Sequence, residues 1–530
     1  MTPNIKTVQH FHSLIILTCL YIPAAIILTI IFRYQINPDG ISYIAIAQKY
    51  AAGDFANAVN GLWSPLFSLL MAPFIKLGFD PQLTAKCFNF VFGYIIVITV
   101  YGLSKKLKFD PISTTLVIIC CTAISLSYAA LWITPDLLSV MFIFFYFYII
   151  SDTAYDTKTK PAICCGLVGA LAYLSKGYMF TFFAMHFFII SVIKFASASA
   201  PDHKKKIVIN LLAGTITFVL ICTPWAALLT HKYDHFTLTT AGKFNLGLVA
   251  PDYTGRPQLK DGFFAPPNPT AVSVMEDPVD IGMPDWSPFD SSEDFDYFLR
   301  HNLKKNIMQI FRHLNKWSPL SSIIVAAAIL LFFYPVKTST DTSRTALILL
   351  AGFLLFPAGY ILVTTAFDRY FIAMYFLLAL LTGFVFDIIL KKFSIPKPAA
   401  VLLYCVLALP FAWNSTKTIR QYDITLCNNA HTIGTAIKQH IGPSPKIASD
   451  TKYVPTYFIT YHAGGHFYGI PKAGISPADL SGELNKYGIE YYLVWDEKGL
   501  PTGDFASLKT LDIPGLTAPL VYQNTLDSDK

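Results

Sequence analysis

Long apolar runs separated by short polar connections make up most of the chain. Runs of membrane-spanning length begin near Leu14, Leu83, Ser113, Pro135, Ala162, Tyr178, Ile207, Leu320, Ala346, Phe371 and Ala399. Each approaches the roughly 20 residues a helix needs to cross a bilayer core, so the pattern predicts about eleven spans. The first run lacks a small-residue cleavage site before Arg33 and is followed by more spans, so it is read as retained. Residues 65–77 (PLFSLLMAPFIKL) are shorter and hold two prolines. A crossing there would invert everything downstream, so this segment is predicted to be re-entrant or interfacial.

Composition supports the same class. Of 530 residues, 54% are hydrophobic and only 14% charged, more apolar surface than a soluble domain can hide. The cations fall in every second connection: Lys105, Lys106 and Lys108, then Lys158 and Lys160, Lys204 to Lys206, Lys337 and Arg344, and Lys391, Lys392 and Lys397. The positive-inside rule puts that set in the cytoplasm. The net charge of +7 is mostly this bias and implies no nucleic-acid partner. Eight of the nine cysteines lie in apolar runs and only Cys427 in a polar part, which leaves no disulfide framework and no metal-type CxxC pattern.

The predicted fold is an all-α polytopic membrane domain, N-terminus in and C-terminus out, followed by a small extracytoplasmic α/β domain. Residues 1–12 form a cytoplasmic tail, 13–414 the membrane domain and 415–530 the external domain. Two external stretches are long. The first loop, 33–82, holds amphipathic or re-entrant helices; the second, 231–317, begins rich in Pro and Gly. The second is predicted to end in an amphipathic helix over 291–316, opened by a capping-box-like Ser291 and Asp294. Phe295, Phe298, Leu299, Leu303, Ile307, Ile310, Phe311 and Leu314 give its apolar rhythm, with Arg300, Lys304, Lys305, Arg312 and Lys316 between them. Such a helix suits the membrane surface, basic side toward lipid phosphates; it can equally be a plain lead into the next span. In the external domain the pattern predicts a helix near 428–441, strands at KIASD (446–450), HFYGI (466–470) and YYLVWD (491–496), and a helix opened by Ser476-Pro477. No nucleotide-binding glycine fingerprint occurs in it.

Few polar residues on the outer side carry potential chemistry. Asp39, in Asn37-Pro38-Asp39-Gly40, can act as a base on an acceptor hydroxyl or can cap a helix starting at Ile41. Asp136 follows Thr134-Pro135, a good helix start with Thr134 as N-cap, and shares a membrane face with Asp39. Two acids at one interface can hold a divalent cation or an acceptor. Lys176, in Leu174-Ser175-Lys176-Gly177, runs against the positive-inside bias, and Arg369, in Phe367-Asp368-Arg369-Tyr370, lies on the same side. Both can neutralise a phosphate at headgroup depth, or merely snorkel or pair locally. His462 and His466 flank Ala463-Gly464-Gly465, where two glycines disfavour a helical metal pair.

The order of Pro38-Asp39, Pro135-Asp136, the run GALAYLSKG ending at Lys176-Gly177, Pro224-Trp225 ending a span, and Arg369-Tyr370 resembles the GT-C glycosyltransferases. Within that superfamily it is similar to the branch of protein O-mannosyltransferases and aminoarabinose transferases, over roughly residues 14–400. Two positions depart from the family: Gly40 stands where members often carry an acid, and Trp63-Ser64-Pro65-Leu66 lacks the lysine many have there. The resemblance implies an inverting transfer from a polyprenyl-phosphate sugar to an extracytoplasmic acceptor (protein, lipid or glycan), at a bacterial inner membrane. It implies Asp39 as base, Asp136 supporting it or a metal, and Lys176, Arg369 and Tyr370 holding the donor phosphate. A flippase for lipid-linked saccharides, an oligosaccharide transferase or polymerase, and a membrane scaffold are the competing classes; against the first, no pair of repeated broken helices occurs.

Overall fold

The computed structural model describes residues 5–253, 255–333, 340–363, 368–393, 395–495, 508–511 and 518–524. Lys337, Phe367 and Asp496 of the sequence reading lie outside them. All eleven predicted spans are helical: Ile5–Ile31, Pro81–Lys106, Pro111–Leu131, Asp136–Ile150, Lys160–Ser175, Met179–Ser197, Pro201–Tyr233, Ser321–Phe333, Thr340–Leu355, Ile372–Lys392 and Lys397–Gln421. Among the described residues, seven helices are long and apolar enough to cross a membrane by themselves, or eight if one bent pair counts as a span. The helix over 65–77 is Leu66–Lys76, too short for a 30 Å core at about 1.5 Å per residue. It packs on the first loop, where Ser68 Oγ donates to the Tyr43 carbonyl at 2.7 Å.

Local chemistry explains the helix starts. Asp80 precedes Pro81 and its carboxylate accepts from the Leu83 amide at 2.6 Å, while the proline needs no donor in the first turn. The axis of the bundle is Ile372–Lys392, where every residue from Phe371 to Phe384 is buried. Pro201–Tyr233 instead exposes Leu212, Ile216, Val219 and Leu220, an apolar surface suited to lipid. This last helix runs through Pro224-Trp225 to Tyr233, so that pair does not end it as expected. A proline in mid-helix forfeits one backbone bond, a loss that flanking turns can absorb.

The basic connections gather at one end of the bundle. Lys106 pairs with Asp152 at 2.6 Å, Lys194 and Arg344 with Asp156 at 2.9 and 3.2 Å, and Lys391 Nζ donates to the Lys108 carbonyl at 2.8 Å.

At the other end, the loops and the C-terminal domain form a continuous layer. Lys49 and Glu276 make a buried ion pair, the Asn60 amide donates to the Glu276 carbonyl at 2.5 Å, and Lys232, paired with Asp277, donates to the Val59 carbonyl at 2.7 Å. These clamp the first loop to the long one. The amphipathic helix is broken into Ser292–Tyr297, a π-helical turn Phe298–Leu303 and Lys304–Trp317. Ser291 accepts from the Asp294 amide at 3.0 Å, as the capping pattern predicted.

Helix Lys397–Gln421 continues past residue 414, so the chain enters the C-terminal domain at Tyr422. The domain holds strands β1 (Lys446–Ser449), β2 (His466–Phe467), β3 (Tyr491–Val494), β4 (Leu508–Leu511) and β5 (Leu520–Asn524). The sheet order is β2-β1-β3-β5-β4, with β1 parallel to β2 and β3 and the remaining pairs antiparallel. β2 is shorter than HFYGI suggests, because this edge pairs instead with the long loop: the Phe467 amide donates to the Val272 carbonyl at 2.6 Å and Phe263 bridges Gly469. Helix Thr425–His440 matches the expected one, and Ser476 caps Pro477–Lys486 as predicted. Helix Tyr453–Ala463 was not expected, since its β-branched and aromatic residues give no helical polar face. His466 Nδ1 bonds the Ala271 carbonyl at 2.7 Å, whereas His462 packs edge-on against His431 at 5.0 Å, so the two histidines do not converge. Burial, helped by His431, pulls the His462 imidazole down to about 4.

Candidate functional site

Asn37 and Pro38 start a helix that runs to Ala52, three residues earlier than a start at Ile41. Asp39 therefore lies in the first turn and is not the cap. Asn37 does not cap it either; its side-chain oxygen accepts from the Ile133 amide at 2.9 Å. That bond ties the Asp39 turn to the Asp136 turn, and Gly40 lets them close. A Cβ at Gly40 would stand 2.9 Å from Ile133 Cβ and 3.0 Å from its carbonyl oxygen. The glycine that departs from the family pattern is thus required here by close approach.

The helix carrying Asp136 begins at Asp136 itself, with Pro135 at the cap position. Thr134 is not its N-cap: the Thr134 hydroxyl donates to Asp136 Oδ2 at 2.7 Å. The neighbouring Pro81–Lys106 helix steadies this turn, Lys86 Nζ donating to the Ala130 carbonyl at 3.3 Å and the Asn89 amide to the Trp132 carbonyl at 2.8 Å. Lys176 follows helix Lys160–Ser175 in an extended conformation (φ −155°, ψ 119°), and its ammonium forms an ion pair with Asp136. Arg369 sits in a 3-10 turn, Asp368–Phe371, leading into the central helix.

The four charges converge. The Arg369 guanidinium bonds Asp39 directly and lies 3.9 Å from Asp136 Oδ2. Its carbon stands 5.2 Å from the ring centroids of both Trp132 and Tyr370. Lys176 Nζ lies 4.6 Å from the Tyr370 centroid, and Tyr370 stacks on Tyr360 at 5.4 Å. Two carboxylates, two cations and flanking aromatic faces form a charge-balanced quartet at the end of the bundle opposite the basic connections. The side chains of Asp136 and Arg369 are 6% and 7% exposed, that of Asp39 27%. Asp39 is thus the open acid and Asp136 the enclosed one. Beside them, Tyr128, Trp132, Trp317, Tyr422 and Asp368 line a small, partly open cleft.

All five sequence-predicted residues, Asp39, Asp136, Lys176, Arg369 and Tyr370, meet here. Sequence reasoning missed Trp132, whose place two residues before Thr134 was a usable signal, and Tyr360, which gave none. The donor set does not suit a divalent cation. Among the described residues no third His, Cys, Asp or Glu joins the two acids, and their oxygens already hold Arg369 and Lys176. The first-loop position lacking a lysine holds Trp63, which packs edge-on to Tyr43 at 5.2 Å and donates to the Met275 carbonyl at 3.1 Å.

Residues 63–233 match the family model described as dolichyl-phosphate-mannose-protein mannosyltransferase. That span contains Asp136 and Lys176 but neither Asp39 nor Arg369. Comparison with curated protein sequences gives no match. Among solved structures the chain is similar to ArnT from Cupriavidus metallidurans bound to undecaprenyl phosphate, at 12% identity and TM-score 0.60, covering 96% of this chain and 98% of that one. It is also similar to the Archaeoglobus fulgidus oligosaccharyltransferase in complex with Zn and sulfate, at 11% identity and TM-score 0.54, covering 95% and 73%. The oligosaccharyltransferase AglB of that organism, in complex with an inhibitory peptide and a dolichol-phosphate, matches at 12% identity and TM-score 0.51, covering 98% and 74%. The resemblance carried by the motifs therefore has two supports: the mannosyltransferase family model over residues 63–233, and a fold similar over nearly the whole chain to those of ArnT and the archaeal oligosaccharyltransferase.

Proposed function

We propose that the chain transfers a sugar from a polyprenyl-phosphate donor to a hydroxyl-bearing acceptor on the extracytoplasmic side, with inversion. The observation that carries this reading is the convergence of Asp39, Asp136, Lys176 and Arg369 at one bundle end, from four elements far apart in sequence. The acceptor oxygen attacks the anomeric carbon as the bond to the phosphate oxygen breaks. Asp39 takes the acceptor proton, and the leaving polyprenyl phosphate keeps the bonding electrons. Arg369 and Lys176 neutralise the phosphate, and Tyr370 walls the space between them. When a donor phosphate engages Arg369, the guanidinium turns from Asp39 and leaves that carboxylate as an available base. Asp136 keeps both cations in place. The aromatic cleft beside Trp132 offers flat apolar faces for a sugar ring. The positive-inside rule supports this sidedness, with the opposite, lysine-rich end in the cytoplasm; a bacterial inner membrane is part of the proposal.

Protein in lipid nanodiscs, offered a panel of polyprenyl-phosphate sugars, tests this. Release of polyprenyl phosphate from one donor is expected, and Asp39→Asn should slow it by about 10²–10⁴-fold in protein that remains folded. Equal turnover in the Asn variant would remove Asp39 as the base. Transport of an intact lipid-linked saccharide without cleavage would move the protein to the flippase class.

A further inference from the structure

Lys304–Trp317 has three faces, not the two its sequence suggests. At about 100° per residue, Asn306, Ile310, His313 and Trp317 fall on one side and are buried against the bundle. Ile307, Met308 and Phe311 form an adjacent exposed arc, apolar along its middle and bounded by Lys304 and Asn315 toward the two ends of the helix. Lys305, Arg312 and Lys316 make a basic row beyond it, also exposed. Upstream, Arg300 is held by Asp296 at 2.8 Å, but among the described residues no ion pair engages the three cations of the row. The helix meets the apolar helix that follows it at 99°. With the latter crossing the bilayer, Lys304–Trp317 runs nearly in the membrane plane.

The buried face packs on residues at the turn that carries Arg369. The Asn306 amide donates to the Ile361 carbonyl at 2.7 Å, the His313 ring stacks on Phe371 at 5.7 Å, and Trp317 packs on Tyr375 at 5.5 Å. Phe371 closes the turn that carries Arg369 and Tyr370.

We propose that this helix is a docking surface for the headgroups of acidic bilayer phospholipids, and that lipid bound on its outer face steadies the Arg369 turn on its inner face. The apolar arc enters the acyl boundary, which sets Lys305, Arg312 and Lys316 at phosphate depth. Charge complementarity selects the occupant. A row of unpaired cations beside an exposed apolar arc matches an anionic lipid surface, and a zwitterionic surface gives it less to bind. The effect on turnover rests on the transfer reading above; the lipid contact does not.

The test uses the full chain in nanodiscs of phosphatidylcholine with and without phosphatidylglycerol. Amide exchange over 298–317 should slow when phosphatidylglycerol is present, and donor release should rise with it. In the Lys305→Gln/Arg312→Gln/Lys316→Gln variant both responses should vanish, and phosphatidylglycerol retained through purification should fall by roughly fivefold per cation removed. Met308→Ser/Phe311→Ser should lose protection in both kinds of disc. An unchanged response in the triple-Gln variant overturns the proposal. So does full protection without phosphatidylglycerol, or protection that grows with protein concentration and so reports a second copy on this face. Absence of turnover in every disc, with the lipid-dependent protection intact, would count against the transfer reading and not against this one.

Discussion

The two ends of the bundle are built from the same ingredients in mirrored arrangements. At one end Asp156 receives two cations, Lys194 and Arg344; at the other Arg369 bridges two acids, Asp39 and Asp136. Both ends set cations over aromatic rings, Lys106 over Tyr148 at 4.3 Å and Lys176 over Tyr370 at 4.6 Å, so cation–π contact does not distinguish them. Burial separates them by degree: Arg369 and Asp136 are 7% and 6% exposed, whereas Lys194 with Asp156, an enclosed pair of the first end, is 10% and 17% and Lys106 with Asp152 is 16% and 46%. The first end needs only to be basic to orient the protein, and exposed pairs serve that at little cost. The second encloses Asp136 and Arg369 almost completely and Lys176 and Asp39 in part, which desolvation opposes and topology does not require. Charge kept where it is expensive and unnecessary for folding is the reason to propose this end as the site.

The comparison breaks most sharply on a pair of arginines. Arg369→Gln should lower donor turnover by about 10²–10³-fold, since it removes a positioned donor to the leaving phosphate. Arg344→Gln should leave turnover unchanged. Equal losses in both would mean that the quartet supports the fold no differently from the opposite end.

Asp136→Asn sharpens the structural half. Lys176 would be left largely enclosed and unpaired, which should cost about 3 kcal/mol in a thermal or denaturant measurement. Replacing both partners with apolar residues of similar size, Asp136→Leu with Lys176→Met, should restore most of that stability without restoring turnover. Recovery of turnover as well would reduce the Asp136–Lys176 pair to a packing device.

Much of this was legible in sequence because it is periodic or compositional. Each of the eleven apolar runs proved helical, and the capping residues Ser291 and Ser476 placed two helix starts correctly. The candidate residues were legible for a different reason: Lys176 and Arg369 violate the charge bias, and a violation is visible without a structure. What could not be read is whatever depends on phase or on distant partners. Within Lys304–Trp317 the apolar stripe is wider than the face that packs on the bundle, so its residues divide between the core (Ile310, Leu314) and the outside (Ile307, Phe311), and the π-helical turn at Phe298–Leu303 shifts the phase between this helix and the apolar residues before it. Helix Tyr453–Ala463 is buried on most sides and shows no amphipathic rhythm. The direct contact of Arg369 with Asp39 spans 330 residues of sequence, and periodicity carries no information at that range.

Gly40→Ala probes a smaller, geometric difference. The added methyl meets Ile133 and must push the Asp39 turn from the Asp136 turn, at a cost of roughly 1–3 kcal/mol. Because the strain falls between the two acids, turnover should drop further than stability does. A parallel fall in both would mean that the gap between the turns is not catalytically tuned.

The smallest effect belongs to the opposite end. Lys106→Gln removes the partner of Asp152, a carboxylate that is nearly half exposed and that also accepts from the Ala154 amide at 2.9 Å. Water and that backbone bond still satisfy the carboxylate, so the loss should stay below about 1 kcal/mol. Salt supplies the contrast: a half-exposed pair is screened over a Debye length of about 8 Å at physiological ionic strength, and less than half that near 1 M. The Lys106→Gln deficit should therefore fade as salt is added, while the Asp136→Asn deficit persists, because ions do not reach an enclosed pair. Deficits that fade together would place both ends in contact with water and remove the burial on which the distinction between them stands.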